Sequence, residues 1–134
     1  MGNDYGIRVA ANKEAYVFNF NNPRYDSTNM IATTSGVDLM DGAWHHFAAI
    51  LQSTHMDIYV DGVLRKAQDF PVGVLKYDGG PDFFIGHHGN GETLFDYIGH
   101  IDEVRMLPGI SSAVWLRLSY LTQKSGSTAL KFSP

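Results

Sequence analysis

The chain has 134 residues, no cysteine, and 10 Lys and Arg against 14 Asp and Glu, a formal charge of −4. This length suits one domain, 1–134, and the missing cysteine excludes a disulfide framework, thiolate zinc sites and cysteine nucleophiles. No stretch approaches the ~20 consecutive apolar residues of a membrane span, and scattered Lys and Arg on a mildly acidic chain argue against nucleic acid as a partner.

Before residue 111 the pattern is one of short β-branched and aromatic runs broken by Gly, Asn, Asp and Pro, the signature of an all-β sandwich or barrel. The first expected strands are Gly6–Ala11 and Ala15–Asn21, followed by a polar, turn-rich loop from Asn21 to Asn29 and a weak strand at Met30–Thr34. Asp41-Gly42 precedes the strongest apolar run, Trp44–Gln52. Met56–Val60 and Val63–Ala67 form the arms of a hairpin around Asp61-Gly62, a pair that tolerates the positive φ angles of a type I′ turn. Val72–Leu75 reads as a short strand, Phe83–Gly86 as a buried strand, His87–Thr93 as a glycine-rich loop, and Tyr97–Leu107 as a long strand. Ser111–Thr122 alone has helical spacing, with Val114, Trp115, Leu118 and Leu121 as its apolar stripe and Ser111 or Ser112 as N-cap. Thr128–Phe132 would add a last strand.

Four segments in order resemble the laminin G-like domains of the concanavalin A-like lectin/glucanase superfamily. They are Asp41-Gly42-Ala43-Trp44-His45-His46-Phe47-Ala48, the hairpin Ile58-Tyr59-Val60-Asp61-Gly62-Val63, the run Ile98-Gly99-His100-Ile101-Asp102-Glu103-Val104-Arg105 after Phe84-Ile85-Gly86, and the helical tail from Ser111 to Gln123. The resemblance implies an all-β jelly-roll sandwich of two antiparallel sheets with one short C-terminal helix. Its expected core includes Val17, Trp44, Phe47, Ile50, Ile58, Val60, Phe84, Ile85, Ile101, Val104, Trp115 and Leu118. Family members carry further N-terminal strands, so the resemblance implies either a shortened domain or one whose sheet another chain completes. An uncovered sheet edge invites strand addition, and homodimerisation is expected from it.

Most of the chemistry-bearing residues also have a plain structural role. His45 and His46, adjacent on an expected strand, point to opposite faces and cannot share an ion, so both are assigned to packing and hydrogen bonding. His87 and His88 open a loop that His100 would have to approach for zinc, and adjacent histidines alone are poor tetrahedral ligands. Calcium suits the loop oxygens of Asp26, Asp82, Asn90 and Glu92 better, but without EF-hand spacing no metal ligand is assigned, and calcium is the one cofactor left open. A retaining glycosidase needs two carboxyl groups ~5–5.5 Å apart. The one close strand pair, Asp102-Glu103, would alternate to opposite faces, with Glu103 and Arg105 sharing one face in a salt bridge. Nucleophile-elbow and phosphate-loop motifs are absent from the sequence.

Binding is therefore the expected function, most naturally of carbohydrate, since sugars stack on aromatic faces framed by amide, carboxylate and imidazole groups. The residues assigned to such a site are Tyr25, Asp26 and Asn29, together with His87, His88, Asn90 and Tyr97. A structural or adhesion module binding protein partners is the first alternative and a degenerate glycoside hydrolase the second. The resemblance implies a secreted or cell-surface bacterial setting, although Met1-Gly2-Asn3-Asp4 has neither the basic nor the apolar region of a signal peptide.

Overall fold

The structure, a computed structural model, describes residues 4–9, 12–20, 30–34, 36–70, 84–87, 93 and 96–127; the expected strands Val72–Leu75 and Thr128–Phe132 lie outside them. Six strands form two antiparallel sheets. The first contains β1 (Asp4–Val9), β2 (Ala15–Phe20) and β3 (Met30–Thr33) in that order, and the second β4 (Phe47–Gln52), β5 (His55–Val60) and β6 (Val63–Asp69). One helix, α1 (Ala113–Gln123), follows.

Period-two alternation decides the layering. Met56, Ile58 and Val60 of β5 are fully buried, as are Ala15 and Val17 of β2, and these meet with Ala32 in one cluster between the sheets. Phe47, Ala49 and Leu51 of β4 pack against it from the second sheet, with Val37, Leu39 and Phe70 closing its margins. The fully buried Val17, Met56, Ile58 and Val60 each contribute roughly 1.5–3 kcal/mol of transfer free energy. The opposite face of the second sheet presents Ala48, Ile50 and Tyr59, and Leu116 of α1 covers them. The order of layers is sheet, sheet, helix. At the end of β3, Thr34 is buried but satisfied: its N–H donates to the Ala15 carbonyl, and its hydroxyl oxygen accepts from the Ala15 N–H, both at 3.0 Å. In the first sheet Gly6 leaves room for the ring of its cross-strand neighbour Phe18, which a Cβ would meet at 2.7 Å.

The all-β sandwich with one short helix is thus present, but several expected elements and core positions differ. β4 begins at Phe47 rather than Trp44, because residues 41–46 are held by side-chain bonds to Asp41 and Asp61 instead of a strand ladder. Phe84–Gly86 is no strand: Gly86 has a φ of 77°, the chain bends there, and Phe84 and Ile85 are exposed. Residues 97–107 run without helix or strand and are exposed throughout, with Glu103 at a φ of 55°; among the described residues no segment pairs with them as a ladder.

The core assignment corrects accordingly. Val17, Ile50, Ile58 and Val60 are buried and Phe47 packs on them, whereas Trp44 (69% exposed), Phe84, Ile85, Ile101, Val104, Trp115 and Leu118 are not. The helix lies on the sheet through Leu116, not through the stripe of Val114, Trp115 and Leu118. Its N-cap is Ser112, whose hydroxyl accepts from the Trp115 N–H at 3.1 Å.

Ile58→Ala should cost about 2–5 kcal/mol in urea unfolding, since it opens a cavity between the sheets. Trp44→Ala should cost under about 1 kcal/mol, as an exposed side chain outside the core; equal losses for the two would contradict this layering.

Candidate functional site

Three of the four signature segments meet at the β5–β6 turn. Asp61 and Gly62 sit there at φ 55° and 71°, the left-handed pair a type I′ turn requires. One oxygen of Asp61 accepts from the His46 N–H at 3.0 Å, and the other bonds His45 Nδ1 at 2.9 Å. The Asp61 N–H donates to the His46 carbonyl at 2.8 Å. His45 Nε2 reaches Asp41 Oδ1 at 3.0 Å, the same oxygen that accepts from the Ala43 N–H. On the other side of the turn Gly62 lies against α1, where a Cβ would come within 3.0 Å of the Arg117 backbone. The histidine pair makes the packing and hydrogen-bonding contacts expected of it, though the expectation rested on a strand and neither residue lies in one. His45 is clasped by two carboxylates, and His46 packs its ring 6.2 Å from that of Tyr120 with Nδ1 buried and unbonded.

The electrostatics follow this geometry. Burial works most strongly against a charge on His45, but its bonds to Asp61 and Asp41 together prevail and raise its pKa. Asp41 is lowered, first by the Ala43 N–H and then by His45. His55, between Asp69 and Asp57, is likewise raised by those two hydrogen bonds. His46 moves the other way, lowered chiefly by burial, with the Arg105 charge adding to it.

A second cluster lies outside the sheets. The Tyr97 N–H donates to the Gly86 carbonyl at 2.8 Å and so ties the bend at 84–87 to the segment at 96–101. Phe84 stands edge-on to His87 at 5.1 Å between ring centres, and His87 Nδ1 faces Asp96 at 3.7 Å. The Tyr97 ring rests over Gly99, where a Cβ would meet it at 2.8 Å. Phe84 and Tyr97 remain 43% and 41% exposed. Two partly exposed rings, an imidazole and a carboxylate thus lie on the two segments that the Tyr97–Gly86 hydrogen bond ties.

Of the residues assigned to a site from sequence, His87 and Tyr97 lie on the two segments joined by the Tyr97–Gly86 hydrogen bond; Tyr25, Asp26, Asn29, His88 and Asn90 lie outside the described residues. Sequence reasoning missed Phe84, which it placed in the core, and Asp96. The signal for Phe84 was its place two residues before a glycine that turns the chain. His100 faces Trp44, with ring centres 6.2 Å apart. Among the described residues no group of three His, Asp or Glu side chains is arranged to hold a metal ion, and the calcium candidates Asp82, Asn90 and Glu92 lie outside them with Asp26. Asp102 and Glu103 do not alternate on a strand. Asp102 accepts from the Glu103 N–H at 2.9 Å, and Glu103 is paired with Arg105 at 2.6 Å as expected.

A pH dependence follows from the histidine clasps. A raised folded-state value means that His45 and His55 hold protons more tightly folded than unfolded. The stability each adds is complete below the ordinary imidazole value of 6.5 and is lost as pH rises through the folded value. Asp41 adds stability above its ordinary 3.8, lost as pH falls through its lowered folded value. His45→Gln should therefore lower the melting temperature more at about pH 6 than at about pH 8. A larger loss at the alkaline end would contradict the clasp.

A model of laminin G-like domains, described as the concanavalin A-like lectin/glucanases superfamily, matches residues 1–116. No curated protein matches the chain. Among solved structures, the crystal structure of an S-layer domain-containing protein from Clostridium thermocellum is similar at 20% identity and a TM-score of 0.51. The match covers 80% of this chain and 51% of that one, so the chain spans about half the length of the solved protein; at this identity the likeness concerns the fold. The two sheets, the shared turn and the family match agree: this chain belongs to the laminin G-like family of the concanavalin A-like lectin/glucanase superfamily, whose sandwich is a jelly roll.

Proposed function

We propose that this chain is a non-catalytic binding module that recognises carbohydrate, using the cluster of Phe84, His87, Asp96 and Tyr97. The observation that carries the reading is the pairing of two exposed rings with an imidazole and a carboxylate in a cluster outside the sheets. Pyranose C–H faces stack on such rings, and their hydroxyls bond nearby polar groups. Membership of a lectin and glucanase superfamily supports the same ligand class.

The non-catalytic part of the proposal draws support from Asp102 and Glu103, one bonded to a neighbouring N–H and the other to Arg105, rather than both facing an open cleft. A cell-surface setting accords with the similarity to an S-layer domain-containing protein.

Polysaccharide affinity gels, run with and without a chelator, test the reading. Retention on at least one polysaccharide is expected. Tyr97→Ala or Phe84→Ala should weaken it by about tenfold, or ~1.4 kcal/mol, with the melting temperature little changed. No retention on any neutral or acidic polysaccharide would overturn it in favour of an adhesion module, and turnover of a chromogenic glycoside abolished by Glu103→Gln would overturn the non-catalytic assignment.

A further inference from the structure

Residues 40–45 form a strap at the turn end of the second sheet. It is anchored on one side at Leu39, whose N–H donates to the Lys13 carbonyl at 2.9 Å and whose side chain packs on the core cluster. On the other side it is anchored at His46, bonded in both directions to Asp61. Between these anchors, among the described residues, no backbone group of 40–45 bonds another backbone, and residues 40–44 are exposed. The side-chain bond that closes the strap runs from Asp41 to His45, and through His45 to Asp61. Trp44 stands on the strap, with its ring centre 6.2 Å from that of His100.

That closure contains a proton. An ionised carboxylate only accepts hydrogen bonds, and a neutral imidazole carries a single N–H. His45 sets Nδ1 against Asp61 at 2.9 Å and Nε2 against Asp41 at 3.0 Å, so both bonds form together only when both ring nitrogens are protonated. Asp61 is the better fixed partner: its other oxygen holds the His46 N–H, and its own N–H holds the His46 carbonyl. It is also the less exposed carboxylate, at 26% against 47% for Asp41. Left with one N–H, His45 stays with Asp61, and Asp41 then faces a bare nitrogen lone pair. Few other charges bear on this ring. Arg117 of α1 lies against Gly62, while Tyr120 and Arg105 act on His46 instead. His55 has the same two-carboxylate arrangement, but Asp57 and Asp69 sit on β5 and β6, which a backbone ladder already joins, so losing its proton frees no segment. We propose that residues 40–45 are a proton-operated strap, closed by the His45 imidazolium and released at Asp41 when the ring becomes neutral, while both sheets stay intact. Because those carboxylates raise the pKa of His45, release falls on the alkaline side of the ordinary imidazole value of 6.5.

Trp44 reports on the strap once Trp115→Phe makes it the sole tryptophan. The test is time-resolved fluorescence anisotropy from about pH 5.5 to about pH 9, with NMR of the ring nitrogens following His45 in the same samples. A nanosecond component of the Trp44 decay should grow at least about twofold, with the midpoint of the His45 titration and at unchanged circular dichroism. Asp41→Asn, at an exposed position, should keep the strap closed at every pH, because its amide N–H donates to the neutral Nε2. His100→Gln should leave the response as it was, since that ring faces Trp44 but lies outside the clasp. An anisotropy that stays flat across the His45 titration would overturn the proposal. So would a response that survives Asp41→Asn or disappears with His100→Gln.

Discussion

The Asp61-Gly62 turn is the point on which the rest of the structure depends. Its two positive φ angles fold β5 back on β6 without splaying the strands. Because the turn is that tight, the Asp61 carboxylate is left beside the chain entering β4, where it bonds His45 and the His46 N–H. Because the second turn residue has no side chain, α1 can settle its backbone against Gly62 and bring Leu116 onto Ile50 and Tyr59. One local constraint thus fixes the entry of β4, the pairing of β5 with β6 and the seat of the helix.

The second sheet consequently has two buried sides of different character. Toward the first sheet it offers Met56, Ile58 and Val60, which are fully enclosed. Toward the helix it offers the smaller patch of Ile50 and Tyr59, which one turn of α1 covers. The 97–107 ribbon gains no such cover and stays exposed. The fully buried side chains lie between the sheets, and among the described residues most of the exposed large apolar side chains lie between Phe84 and Leu118.

What the sequence revealed and what it concealed divide along the range of the interactions. The Asp-Gly turn, the alternation of β5 and the Ser112 cap are decided by neighbouring residues, so residue types and spacing sufficed to find them. Trp44 and the stripe of Val114, Trp115 and Leu118 misled, because size and periodicity show that a residue could be buried but not which face meets a partner. Seating on Gly62 turned the helix so that Leu116 faces inward. The 97–107 segment has strand composition, but a strand is a property of a pair, and its pair is not among the described residues. At the candidate site, His87 and Tyr97 were legible as polar-loop residues. Their convergence with Phe84 and Asp96 depends on the Tyr97–Gly86 hydrogen bond, which spans residues far apart in the pattern.

The fold depends on how firmly the turn holds the elements around it. A double-mutant cycle between His45→Gln and Asp61→Asn, read by urea unfolding at about pH 6, measures that grip most directly, since asparagine keeps the left-handed backbone while removing the charge. The account predicts a coupling energy on the order of 1 kcal/mol. Strictly additive losses, within ~0.3 kcal/mol, would contradict it.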